Sequence, residues 1–399
     1  MNKIPLLLRI VLAIGLGIAA GLIVPESFIE VFATFTGLFS NFLGFVIPLI
    51  IIGFIAPGIA SMGKGAGRML GLTAGLAYTS TIAAGLLAFI TAKNLYPVVL
   101  SGQSSQSLSN PEDSLIEAPF TLDMTPIMGI MAALIFSFIL GVGISTLKGN
   151  TLFNVLDEFR SIIQKLIEHV IIPLLPFHIF GVFANMTYAG QVGTILSVFA
   201  KVFVMIIALH LIYLLGVYTF AGSLHRANPF QMLKKMVPAY FTALGTQSSA
   251  AAIPVTLKHV KKVGVKERVA DFAVPLLANV HLAGSTITIT SCAMAVLFMQ
   301  GSSIGFGEIF PFILMLGITM VSAPGVPGGA VMTAVGLLES MLGFGPAMVS
   351  LMIALYLAQD SFGTAANVTG DGAITTIVNR LVKNRLKEPK TAQAKQKIG

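Results

Sequence analysis

The chain has 399 residues, of which 55% are hydrophobic and only 10% charged, with 24 Lys and Arg against 16 Asp and Glu. Soluble domains carry roughly 25% charged residues, so this composition, with a mean hydropathy of +0.90, excludes an ordinary soluble enzyme and fits a chain that crosses a lipid bilayer many times. The net charge of +8 is gathered in short clusters between apolar runs, which reads as positive-inside loops and not as a nucleic-acid-binding face. Cys292 has no second cysteine to pair with, so a disulfide scaffold is excluded as well.

In chain order, the segment from Ile4 to Val24 is too long for a secretory signal core and reads as a first span. Further runs of spanning length follow at Phe35–Ile59, Met69–Thr91, Pro126–Thr146, Ile163–Phe183, Ile195–Phe220, Val269–Met299 and Ala347–Val382, for about eight spans in all. Two other apolar stretches, Phe230–Val260 and Phe310–Leu342, are interrupted near their middles by proline and small polar residues, and are expected to enter and leave on one side as helical hairpins. The fold class expected is therefore all-α and polytopic. With both hairpins re-entrant, the clusters Lys64/Arg68, Lys148/Arg160/Lys165, His225/Arg226/Lys234/Lys235, Lys258 to Arg268 and Arg380 to Lys395 fall on one face, which places both termini in the cytoplasm. The Ser-rich segment 101–125, with its acidic residues, becomes an external loop, and the basic tail 386–399 a disordered extension able to meet anionic lipid.

Chemistry concentrates between Thr242 and Thr376. The first hairpin carries Gly245-Thr-Gln-Ser-Ser-Ala-Ala-Ala-Ile-Pro254, where a broken helix at membrane depth leaves backbone N–H groups that a carboxylate ligand would satisfy. The second carries Ser322-Ala-Pro-Gly-Val-Pro-Gly-Gly329, whose breakers exclude continuous helix and suit a hinged gate or carbonyl coordination of a cation. The last span contains Asp360 and Asp371 with no Lys or Arg between them. An ionised aspartate at mid-bilayer costs about 2.5–3.5 kcal/mol even on insertion scales, so each must meet a cation, a donor or a proton. Helical spacing puts Asp360, Thr364, Asn367 and Asp371 on one face, expected to line a single cavity. His169, His178 and His210 are scattered and have no metal-ligand spacing.

These residues carry a resemblance. A serine-rich first hairpin ending in Ile253-Pro-Val-Thr256, Gly325-Val-Pro-Gly328 in the second, and Asp-x-x-x-Thr-x-x-Asn-Val-Thr-Gly-Asp in the last span closely resemble the dicarboxylate/amino acid:cation symporters, the glutamate-transporter homologues. The resemblance covers essentially the whole chain and implies a homotrimeric elevator transporter in the plasma (inner) membrane. Residues 1–225 would mostly form the trimerisation scaffold, with the third and sixth helices joining a transport core at 226–385. It further implies that Ser248 and Ser249 contact a substrate carboxylate, that Val326 and Gly328 belong to a lid, that Asp360 takes the substrate ammonium, and that Thr364 and Asn367 line the site. Sodium contacts are implied at Asp371, Asn367, His281, Leu277, Asn279 and Ser322, several through backbone carbonyls, and at Thr79 and Ser80.

The departures from the family pattern narrow the substrate. Acidic-substrate members have an arginine where this chain has Gly363, and the hairpin arginine is replaced by Gln247, so a second substrate carboxylate would be buried unpaired at a cost of about 2–5 kcal/mol. The implied substrate is a neutral amino acid, as in the serine/threonine sodium symporter branch, with Gly363 adding pocket volume. An aspartate of the family's seventh span is Ala283 here, which removes one cation ligand, and His281 stands at the place of an asparagine, where an imidazole can titrate or bind neutral. Proton coupling or an acidic substrate on the same fold, and an anion channel, are the alternatives; an enzyme using Ser248 or Ser249 lacks a base beside them.

Overall fold

The computed structural model describes residues 6–63, 68–100, 115–190, 192–302, 305–321, 323 and 328–383, and within these the chain is helical without strands. The helices are α1 (Leu6–Ile23), α2 (Glu26–Gly63), α3 (Arg68–Val99), α4 (Ile130–Thr146), α5 (Thr151–Leu166), α6 (Ile172–Tyr188), α7 (Val192–His225), α8 (Pro229–Thr246), α9 (Ser249–Val263), α10 (Glu267–Val280), α11 (Ala283–Met299), α12 (Phe306–Met320), α13 (Gly329–Leu342) and α14 (Pro346–Lys383). A π turn, Ile167–Ile171, joins α5 to α6 into one rod. Among the described residues, five segments are long and apolar enough to cross a membrane, namely Glu26–Ala60, Met69–Val99, Thr151–Tyr188, Ile195–His225 and Glu267–Met299. Leu12, Leu16, Ile139, Val204 and Leu211 point outward from α1, α4 and α7, where hydrocarbon, not water, is their natural solvent. The chain is a multi-pass membrane protein.

Local sequence explains the first hairpin. Asn228 caps α8, its side-chain oxygen accepting from the N–H groups of Phe230 and Gln231 at 2.9 and 3.3 Å, and Pro229 opens the helix where a missing N–H is harmless. At the far end Gln247 takes a left-handed conformation (φ 52°), and Ser248 caps α9 through Ala251 N–H. The arms then return: His259 Nδ1 lies 2.7 Å from the carbonyl of Lys235, so the exit of α9 sits beside the entry of α8. His225 contacts the carbonyl of Thr376 at 2.8 Å, and Lys266 N–H donates to Asn379. Lys261 bridges Glu267 and Asp271 at 2.8 and 2.9 Å, and hydrogen bonds to these two carboxylates raise its pKa above the ordinary lysine range. α12 and α13 lie against one another as the second hairpin, with α13 begun by Gly328 (φ 77°). Of the tip, Ser322 and the stretch 324–327 lie outside the described residues, as do 101–114 and 384–399.

The run Val269–Met299 lies in one segment of spanning length, Glu267–Met299, but its helix is interrupted: α10 and α11 are separated at His281 and Leu282. The break is stabilised from outside, by Asn367 of α14. Both α11 and α14 are buried along most of their length, packed on one another, with α3 and α7 against them.

α1 meets α6 through two glycines a helical turn apart. A Cβ at Gly17 would lie 2.5 Å from the carbonyl oxygen of Phe180, and one at Gly21 would strike the carbonyl of Ala184 and come within 2.6 Å of Thr187 Cβ. Small residues at this spacing let backbones approach. Gly21→Val is expected to lower stability by about 1–3 kcal/mol through overpacking, whereas Gly15→Val, with nothing within 4 Å of its Cβ position, is not. Thermal unfolding of both variants in detergent checks this, and equal midpoints would contradict the close approach.

Candidate functional site

The polar face of α14 is where the distant parts of the chain converge. Asp360 is 5% exposed, and its Oδ2 accepts a 2.7 Å hydrogen bond from the N–H of Gly328 at the start of α13. Its Oδ1 accepts from the Tyr356 hydroxyl at 2.8 Å. Thr364, one turn on and buried, faces the same carboxylate. Gly328 suits this place because of its left-handed backbone and because a Cβ would come within 2.9 Å of Leu357 Cδ2.

Asn367 serves the break in the α10–α11 rod. Its Oδ1 accepts from Gly284 N–H at 2.7 Å and from Ser285 N–H at 3.3 Å, satisfying donors that the first turn of α11 leaves without helical partners. Its Nδ2 donates to Ser285 Oγ at 3.0 Å. A Cβ at Gly284 would collide with the carbonyl of Gly363 and approach Ala366 Cβ to 2.7 Å, so the two helices touch here backbone to backbone. The site of Gly363 is less open than the sequence suggests. A Cβ there would meet Thr288 Oγ1 at 3.4 Å and Ser285 N at 3.5 Å, so the missing side chain leaves no hole at its root.

Asp371 belongs to a separate cluster. Its Oδ1 lies 2.8 Å from His281 Nδ1, both side chains being at most 1% exposed. The other ring nitrogen of His281 is 3.0 Å from Tyr213 OH and 3.2 Å from Ser80 Oγ, and those two hydroxyls are 2.7 Å apart. Eleven residues of α-helix span about 16 Å, so Asp360 and Asp371 cannot share one small cavity. The stripe carries two polar clusters, with Asn367 between them.

The remaining expected residues divide. Ser249 is buried and Ser248 half-buried at the hairpin tip, with α8 and α9 held against α14. Thr79 is turned away, exposed and donating to the carbonyl of Gly75, while its neighbour Ser80 reaches His281. Asn279 is likewise exposed, its amide donating to the carbonyl of Pro275. The Leu277 carbonyl accepts from His281 N–H at the last turn of α10. Ser322 and Val326 lie outside the described residues. His178 and His210 go to structural partners, Ser350 Oγ at 2.9 Å and the carbonyl of Gly284 at 3.0 Å. Tyr356, Tyr213 and Ser285 were missed as site residues. Only Tyr356 had a readable signal, standing one turn before Asp360 on the same face.

A cavity of about 570 Å³ opens elsewhere, between α2, the segment before α4, the end of α13 and the start of α14, with Asp123 and Glu339 in its wall. It does not include the α14 stripe.

The serine/threonine transporter SstT of Enterococcus faecalis is 25% identical over 425 aligned positions, covering 100% of this chain and 96% of that protein. The protein of the same name from Acinetobacter baumannii is 26% identical over 392, covering 95% and 97%. Excitatory amino acid transporter 1 of Bos taurus is 26% identical over 291, covering 71% of this chain but 53% of the bovine protein, so the chain spans about half the length of that relative. From the start of α1 to within the last turn of α14, residues 6–381, the sequence matches one family throughout, a family of membrane transporters and not of enzymes: the chain belongs to the sodium:dicarboxylate symporter family.

Proposed function

We propose that the protein is a secondary active symporter that imports a neutral amino acid of the serine/threonine kind, driven by inward sodium, by an elevator motion of a core formed by 226–385 against a trimeric scaffold. The observation that carries this reading is Asp360, a buried carboxylate whose hydrogen-bond donors, the Gly328 N–H, the Tyr356 phenol and the Thr364 hydroxyl, are all neutral. A carboxylate so placed is a receptor for one ammonium group. No Lys or Arg occurs in α11 or α13, nor in α14 before Arg380, so a second substrate carboxylate has no cation to meet. This supports a neutral side chain, and the names of the two bacterial relatives point the same way. The substrate carboxylate goes to the Ser248/Ser249 tip and its N–H groups.

Sodium is cargo in this scheme, held at Asp371 with help from main-chain carbonyls of the broken segment. Coupling follows if sodium favours the arrangement that binds substrate, and the filled site then lets the Gly/Pro tip of the second hairpin close. The protein would sit in the inner membrane as a homotrimer with both termini in the cytoplasm.

A second reading, an acidic amino acid or dicarboxylate as substrate or a proton as the coupling ion, is favoured by the dicarboxylate in the family's name and by the direct contact of His281 with Asp371. One assay separates them. In proteoliposomes, radiolabelled serine, threonine, alanine and aspartate are offered with an inward sodium gradient or with a proton gradient alone. Sodium-driven accumulation of the neutral set is expected. Preference for aspartate, or accumulation on protons alone, would overturn the substrate or the coupling respectively, and equilibration without accumulation would indicate a channel.

A further inference from the structure

We propose that Tyr356 is a positioning residue for Asp360, the donor that fixes the carboxylate in the orientation that receives the ligand's ammonium. The inference rests on the reading of Asp360 as the ammonium receptor and deepens it.

The argument follows the protons. A carboxylate oxygen without a proton of its own can only accept, so in the 2.8 Å contact with Asp360 Oδ1 the Tyr356 hydroxyl is the donor. That uses its single proton. In the 3.1 Å contact with Ser285 Oγ, Tyr356 must therefore accept, and Ser285 donates. Ser285 Oγ in turn accepts from Asn367 Nδ2 at 3.0 Å. The Asn367 amide has no freedom to reverse, because its oxygen is fixed by the N–H groups of Gly284 and Ser285, which cannot accept. Every donor thus points one way, from the first turn of α11 through Asn367, Ser285 and Tyr356 to Asp360. Such a chain polarises each successive bond, and it leaves Oδ2, shared with Gly328 N–H, as the oxygen turned to the second hairpin.

Tyr356 is fully buried in α14, so its ring is held by packing and its hydroxyl is delivered at a fixed point. Ser285 reaches Asp360 only through it. The sequence holds a phenol here with no need of one for packing alone, since phenylalanine would fill the same space.

The test is uptake kinetics in proteoliposomes for the parent, Tyr356→Phe, Ser285→Ala and the double variant, each with serine, threonine, alanine and aspartate. Removing a hydrogen bond to a charged group is expected to raise the KM of Tyr356→Phe roughly 10-fold or more, with Vmax within about twofold. Ser285→Ala should raise KM less, about threefold, and the double variant should match Tyr356→Phe alone, since Ser285 acts through the phenol. A purely structural phenol would lower the amount of folded protein or Vmax and leave KM in place. An unchanged KM in Tyr356→Phe, or a double variant whose effects multiply, would overturn the inference. The parent protein judges the functional reading separately: if it takes aspartate in place of the neutral set, the substrate proposal falls while the KM ratio is still read with aspartate. A parent that takes up no amine would overturn both.

Discussion

Asp360→Ala is expected to abolish uptake of every amino acid tested while leaving a folded, monodisperse protein. The carboxylate is the one full charge at its end of the α14 stripe, and it meets only neutral donors. Truncating one member of a buried, hydrogen-bonded charge pair costs about 2–5 kcal/mol, so at about 1.4 kcal/mol per factor of ten the ligand is lost by roughly 30-fold to several thousandfold. Asp360→Asn separates charge from shape. Its amide oxygen can still accept from Gly328 or Tyr356, so the hairpin contact survives in part, but the charge that attracts an ammonium is gone. Both variants should therefore be inactive, with Asp360→Asn the nearer to the parent in thermal stability. Transport by Asp360→Asn at the parent's rate would remove the ammonium from this carboxylate.

His281→Ala carries the largest expected effect on stability. It deprives Asp371 of its neighbour at 2.8 Å and leaves Tyr213 and Ser80 without the second ring nitrogen, all in a site at most 1% exposed for the pair itself. Breaking a buried charged or chargeable pair by removing one partner costs about 3–5 kcal/mol, since the other is left buried and uncompensated. His281→Gln, which can present one amide donor to Asp371, should recover part of that loss. Asp371→Asn should cost less than His281→Ala, because an amide oxygen can still accept from the ring and no carboxylate is stranded. Thermal unfolding in detergent ranks the three. If His281→Ala unfolds with the parent, the imidazole contributes nothing to the cluster and the contact is incidental.

Much of the architecture was legible because hydrocarbon imposes a simple rule. Long apolar runs must be helices, and apolar stretches broken by Pro and Gly must hide their backbone against protein. That rule located α2, α3, α7 and both hairpins, and His225 and Lys266 each contact the end of α14. The α14 stripe was legible from helical spacing alone. The break at His281 was not. Val-His-Leu-Ala-Gly carries no proline, so its local sequence allows an unbroken helix; Asn367, 83 residues after Gly284, supplies the acceptor that satisfies the freed N–H groups. The choice between Thr79 and Ser80 was equally hidden. Adjacent residues on a helix point about 100° apart, and the rotation of α3 against α11 and α14 decides which faces inward.

The sequence by itself determined that the chain is an all-helical membrane protein with two interrupted hairpins and a polar face on its last helix, because length, hydropathy and helical period are properties of consecutive residues. Only the tertiary structure decided that this face is divided into two clusters, with Tyr356 and Gly328 on Asp360 and with His281, Ser80 and Tyr213 around Asp371. Those partners come from separate helices, and the need to satisfy each buried polar group, which brings them together, acts through space and leaves no period in the chain.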